Sequence, residues 1–393
     1  ERMKNIEKFY LDSNLHIVFA ITLISVLGIF GISPALPKIA QGLHVSPRDV
    51  GLLITVFSLP GIFLMPLMGI GADLFGKKLV LVPSLLLFGV AGGACFFVRD
   101  FNIILICRFF QGIGAASLSS LTIAVISDLY TGKVRTAAMG YNQGVFGAGA
   151  VAVVIAVGTL ALAGWYYPFL LPLLAIPVGV LVMFSLKSFH KKSERPTNLT
   201  HFMRNVGVTL RQRQIIILYL VTIVTFIIWS SSYIIYVPFL IGNEFNKSPF
   251  FIGLIMSSMS LSQALTAFQV GKIVNKVSES FILVTCFMLY ALGMIIIPFI
   301  TNPHFLFLPV IILGVAQGIN LPIIQTLLSH YSTDENRSTI ISLWSVALRM
   351  GQTTGPLLMG LIFEFGGMNS VFYLSSCILL MTGGLVFITI KKS

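Results

Sequence analysis

From Leu15 to Val98 the chain is apolar with a single strongly polar break, and runs of apolar residues recur from there to the C-terminus. Each run is about 20 residues long, enough for a helix to cross about 30 Å of hydrocarbon. Breaks marked by charged residues, Gly or Pro divide the runs into twelve spans, at about 15–37, 49–71, 79–98, 102–127, 137–160, 166–186, 214–241, 250–272, 281–300, 304–329, 339–363 and 369–390. A membrane β-barrel would instead show short segments of strict apolar/polar alternation, and the sequence has none. The pattern predicts an all-α integral membrane protein with twelve transmembrane helices.

The longest polar connection, Phe189 to Arg213, separates two sets of six spans. It predicts an N-terminal six-helix bundle (1–188), a basic linker (189–213) and a C-terminal six-helix bundle (214–393). The two sets repeat one another. Gly69-x-x-x-Asp73 in the first corresponds to Gly271-x-x-x-Asn275 in the second, and Arg135 to Arg337, both at an offset of 202; Gln111-Gly112 returns as Gln317-Gly318 at an offset of 206. Paired six-helix bundles are a transporter architecture, with substrate bound near the midplane between the halves.

Composition agrees: 56% of the 393 residues are hydrophobic and 10% charged, with a mean hydropathy of +0.95, far from a soluble domain. A net charge of +12 suggests an acidic partner until its distribution is read. An even number of spans puts both termini on one side. Lys38, Arg48, Arg99 and Lys247 are the cations of the other side, Arg108 and Arg349 lie within spans, and every other Lys and Arg falls on the side of the termini. That bias predicts cytoplasmic termini in a bacterial cell membrane, and no nucleic-acid partner. Cys95, Cys107, Cys286 and Cys377 fall inside spans without metal-ligand spacing and read as packing residues. No cofactor or metal is expected. The first span is too long for a cleaved signal peptide and has no small-residue cleavage site after it.

The polar break is Gly69-Ile-Gly71-Ala-Asp73-Leu-Phe-Gly76-Lys77-Lys78. Together with the repeat it resembles the loop between the second and third spans of the major facilitator superfamily. Arg108-Phe-Phe-Gln111-Gly112-Ile-Gly114-Ala-Ala resembles the fourth-span signature of that superfamily's twelve-helix drug:proton antiporters. The likeness covers essentially the whole chain. Leu74 stands where the family usually has a basic residue, Gly71 where it often has Leu, and the fifth span (Gly147 to Val154) lacks the antiporter Gly-Pro pair, which appears instead as Gly355-Pro356 in the eleventh.

The resemblance implies a conformational latch built on Gly69, Asp73, Gly76 and Lys77, in which Asp73 closes on the start of the eleventh span with Arg337 or Arg135 as further partners. The alternative is a solvated loop carboxylate. It also implies that Arg108, beside Gln111, takes part in proton transfer. Arginine does not release a proton near neutral pH, so it would act by polarising water or tuning an acid; a structural arginine bonded to helix carbonyls is the competing reading. Arg349 lies about 15 Å into its span by helical rise, and no Asp or Glu lies at comparable depth in any span. Substrate binding and structural pairing both remain open for it. Weak candidates for carrying a proton are Asp73, Asp128, Glu364 and His16. Asn142, Gln143, Trp229, Ser230 to Ser232, Tyr233, Tyr236, Gln263, Asn320, Gln325 and Gln352 either line a mostly apolar cavity or tie helices together.

The expected function is secondary active transport of amphipathic small molecules or drugs, proton-coupled and outward, by alternating access of a monomer among membrane lipids. Export of an anionic metabolite, siderophore or lipid-like acid is the alternative, favoured by Arg349. An enzyme is disfavoured, since His-Glu-x-x-His, Gly-x-Ser-x-Gly and paired deep acids are missing. A membrane sensor on a transporter fold is the third reading.

Overall fold

The stretches marked by hydrophobic pattern fold as helices because a chain without water around it must satisfy its backbone internally. The computed structural model describes residues 12–130, 132–185, 204, 206–270, 277–333 and 336–389. The helices are α1 (Ser13–Leu43), α2 (the turn Pro47–Val50 leading through Gly51 into Leu52–Phe75), α3 (Lys77–Ala94), α4 (Phe101–Leu129), α5 (Gly132–Ala163) and α6 (Tyr167–Ser185). The second half has α7 (Arg213–Glu244), α8 (Pro249–Ala267), α9 (Glu279–Phe299), α10 (Phe307–His330) and a helical stretch Arg337–Thr389. That last stretch is two spans. Gly367 interrupts it at φ 75° and ψ −174°, a backbone essentially reserved for Gly, and it separates α11 (337–366) from α12 (368–389). Twelve spans result, and no strand occurs among the described residues.

The polar break between α2 and α3 is shorter than its composition suggests. α2 runs past the expected end at 71 to Phe75, so Asp73 is helical, and only Gly76 at φ 97° and ψ 141° leaves the helix. The Gly76 N–H closes the last turn on the Ala72 carbonyl at 3.0 Å. The helix continues because nothing from Gly69 to Phe75 lacks an N–H, and the left-handed glycine ends it.

In the first half, α4 lies tight against α2 and α3. A Cβ added to Gly112 would stand 2.1 Å from the Phe57 carbonyl oxygen, and one added to Gly114 would stand 2.6 Å from that of Ser84. The Gln111-Gly-x-Gly-Ala-Ala motif is thus a small-residue packing face.

Between the halves, two seams run from one end of the molecule to its middle. Along α2 and α11, Arg48 pairs with Glu364, Gly51 faces Pro356, Thr55 Oγ1 donates to the Thr353 carbonyl at 3.0 Å, and Gly61 meets the stem of Arg349. Along α5 and α8, Gly158 faces the Pro249 carbonyl, Gly253 the Val154 carbonyl, and Gly147 the Ala264 methyl. α1 meets α7 through the Ser33 Oγ, which donates to the Ile234 carbonyl at 2.6 Å.

Both seams then stop. One or two turns beyond Gly61 and Gly147, an added Cβ at Gly69, Gly140 or Gly144 meets no described residue within 4 Å. Among the described residues, the halves are therefore closed at the end away from the termini and part toward the end carrying Asp73 to Lys78.

Candidate substrate pathway and its gates

At the closed end the seam is charged. The Arg48 guanidinium at the start of α2 donates to the Glu364 carboxylate near the end of α11, and the two are 316 positions apart in sequence. The hydrophobic pattern places both residues on the same side of the membrane but gives no pairing. Phe30 packs edge-to-face on Trp229 at 5.7 Å, Trp229 lies 6.4 Å from Tyr233, and Tyr236 stacks on Phe363 at 5.2 Å. Trp229, Tyr233 and Tyr236 are all buried. Tyr233 donates to the Met256 carbonyl at 3.1 Å, and Trp229 and Tyr233 border a small apolar void inside the second half with Met259, Tyr290 and Met294. These rings belong to packed walls. Around them α7 widens into π-type turns over Trp229–Tyr236 and again over Leu240–Glu244, a distortion frequent at functional sites.

The two intramembrane arginines both meet α2, yet differ in how well they are satisfied. Arg108 is 2% exposed. Its Nε donates to the Leu53 carbonyl at 3.3 Å and its terminal nitrogen to Gln111 Oε1 at 2.7 Å, while the guanidinium carbon lies 4.3 Å from the centre of the Phe57 ring. Arg349, 7% exposed, donates to Gln352 Oε1 at 3.0 Å. Its Nε is buried with no hydrogen-bond partner among the described residues. A Cβ at Gly61 would stand 3.1 Å from that Nε and from the Arg349 Cδ, so the absent side chain makes room for the stem. Both arginines use the same device, an amide three residues on, which is one helical turn.

At the parted end, Lys77 bonds to the Asp128 carboxylate and, at 2.7 Å, to the Ala124 carbonyl. Asp12 caps α1 through the Asn14 N–H at 2.9 Å, and the Tyr130 hydroxyl donates to its carboxylate at 2.7 Å. Burial and that carboxylate push the Tyr130 hydroxyl well above its ordinary pKa, so it stays a donor. Arg135 is exposed at the start of α5. The side chains of Asp73 and Arg337, together with Gly271 and Asn275, lie outside the described residues, so the expected latch pairing lies outside them too.

The remaining candidates scatter. Asn142 accepts from Thr22 Oγ1 at 2.6 Å and ties α5 to α1. Gln143 and Gln325 are exposed and Gln263 is half-buried. Asn320 is wholly buried. Ser232 bonds Ser375 at 2.6 Å, holding α7 to α12. Of the suggested proton carriers, Asp128 is paired with Lys77, Glu364 with Arg48, and His16 Nδ1 faces the Asp12 carbonyl at 3.0 Å. All three lie at helix ends. One further pair was not anticipated: His330 Nδ1 stands 3.3 Å from Glu279 Oε2, joining the end of α10 to the start of α9. The repeat contained the signal, since an offset of 202 carries Lys77 onto Glu279 and Asp128 onto His330.

The Major Facilitator Superfamily profile matches residues 18–240 and again 218–393. The chain belongs to that superfamily. As a superfamily member it is similar to a bacillibactin exporter of Bacillus subtilis (strain 168), 26% identical, covering 87% of this chain and 88% of the other. It is also similar to the class C tetracycline resistance protein of Escherichia coli, 25% identical over 90% of each. Among solved structures, the nucleoside transporter NupG superimposes with a TM-score of 0.82 at 12% identity, over 96% of this chain and 100% of that one. That likeness shows the twelve-helix facilitator fold.

Proposed function

We infer that this member of the superfamily is a secondary active exporter of amphipathic small molecules, driven by protons and working by alternating access. The observation that carries the reading is the pair of seams that end at Gly61–Arg349 and Gly147–Ala264. A molecule built this way can part at the other end only by breaking those contacts. Full-length similarity to proteins named for bacillibactin export and tetracycline resistance supports outward transport. The parted end faces the cytoplasm of a bacterium, with both termini there, which accords with the basic residues of that side. The unit is a monomer in lipid, with bundles 1–188 and 214–393 joined by the linker 189–213, and it catalyses no chemical change.

In the opposite state the parted end shuts on the latch of Gly69, Asp73, Gly76 and Lys77 against Arg135 and Arg337, while the Arg48–Glu364 pair opens. Arg108 with Gln111 is the coupling element. The purified protein in liposomes, given cationic, neutral and anionic dyes with and without an imposed pH gradient, tests the reading. Dye should accumulate against its gradient only when protons flow the other way. Dye movement that is the same in liposomes with and without the protein, for dyes the lipid alone retains, would refute export, and accumulation indifferent to the proton gradient would refute coupling.

A further inference from the structure

Arg108 and Arg349 are both buried guanidinium groups on the flanks of α2, and only one of them is satisfied. Arg108 has a carbonyl, an amide oxygen and an aromatic face. Arg349 has one amide oxygen, a buried Nε with nothing to bond, and no carboxylate within ion-pair distance among the described residues. Guanidinium carries five donors and keeps its charge at any physiological pH, so a buried one without an anion is costly unless something else supplies the acceptors.

Position gives the deficit its meaning. Arg349 lies furthest toward the other end among the α2–α11 contacts named above, with Thr55–Thr353 and Arg48–Glu364 behind it and no described residue near an added Cβ at Gly69 ahead of it. Gln352 holds one terminal nitrogen, which fixes the plane of the fork. Gly61, by having no side chain, leaves the stem and Nε room against α2. A planar fork held in this way suits a two-oxygen acceptor.

We propose that Arg349, oriented by Gln352 and seated on Gly61, is the docking site for the carboxylate, or an equivalent ionised acid group, of the transported molecule. The proposal rests on the export reading and narrows it: the substrate class is amphipathic acids and zwitterions rather than simple cations. Docking would also pull Arg349 off Gly61, which couples occupancy of the site to release of the seam.

The test is binding of rhodamine B, which carries a free carboxylate, against rhodamine B methyl ester, which lacks it, to the purified protein by fluorescence anisotropy. Arg349→Gln should weaken the acid by about tenfold or more while the ester stays within about twofold, and Arg349→Lys, which keeps the charge without the fork, should fall between for the acid. A merely structural arginine would change both dyes alike. Equal loss for both, no loss for either, or no binding of the acid to the unaltered protein overturns the proposal. Flux of the same dyes in liposomes is read separately, so that intact acid-selective binding without transport refutes export and leaves the site standing.

Discussion

The two halves solve the same junction with opposite charges. In the first, Lys77 opens α3 and Asp128 closes α4; in the second, Glu279 opens α9 and His330 closes α10. A helix N-terminus carries partial positive charge and a C-terminus partial negative charge. Lys77 and Asp128 therefore each sit in a field of the wrong sign and are held by one another. Glu279 and His330 each sit in a field of the right sign and need one another less. The half that carries the Gly69–Lys78 signature thus has the pair whose members depend on one another, while in the other half each helix end already favours its own residue. A second contrast runs alongside. Gln111 answers Arg108 in α4, whereas Gln317, its repeat in α10, answers the Tyr290 hydroxyl, and Gly314 stands where the arginine would be.

Arg108→Leu should give the largest effect that sharpens this contrast. Transport should fall at least about tenfold, because Leu53, Gln111 and Phe57 lose their common partner, while Gly314→Ala, which crowds the Met259 carbonyl at 2.4 Å from an added Cβ, should lower the melting temperature and spare the coupling ratio. Next, Lys77→Met should cost about 2 kcal/mol in thermal unfolding by leaving Asp128 with an unanswered, part-buried charge. The double exchange Lys77→Glu with Asp128→Lys should restore the stability, since it matches the helix fields, yet leave transport impaired. Equal recovery of both would break the asymmetry. Tyr290→Phe should cost about 1 kcal/mol through Gln317, readable by the same melt. Smallest of all, Glu279→Gln should stay within about 1 kcal/mol, as His330 is 58% exposed; a loss as large as that of Lys77→Met would reverse the ranking.

Much of the fold was legible in the chain because a span in hydrocarbon is written in about 20 consecutive residues. The twelve spans, the depth of Arg108 and Arg349 and the repeat all follow from counting. Even the change of offset from 206 at Gln111–Gln317 to 202 at Arg135–Arg337 has a simple meaning, since four residues are about one helical turn, and α10 is 24 residues long where α4 is 29. What counting does not give is partners across the seam. Arg48 with Glu364, Ser33 with Ile234 and Thr55 with Thr353 depend on how two bundles meet, and no local pattern encodes that. Nor does counting tell which way a polar or aromatic side chain faces: Gln143 and Gln325 are exposed, and Trp229, Tyr233 and Tyr236 are buried. The reach of α2 to Phe75 was hidden because four polar or small residues before Gly76 look like a loop and are helical all the same.

The central claim is that the closed end must open for transport. An added Cβ at Gly360 lies 3.8 Å from the Arg48 Cβ, a separation that a disulfide spans without distortion. In a background with Cys95, Cys107, Cys286 and Cys377 replaced, Arg48→Cys with Gly360→Cys should therefore cross-link the start of α2 to α11 on oxidation. Dye flux in liposomes is measured before and after a thiol reductant. The account predicts arrest in the oxidised protein and recovery on reduction; flux that continues at the reduced rate with the cross-link intact would contradict it.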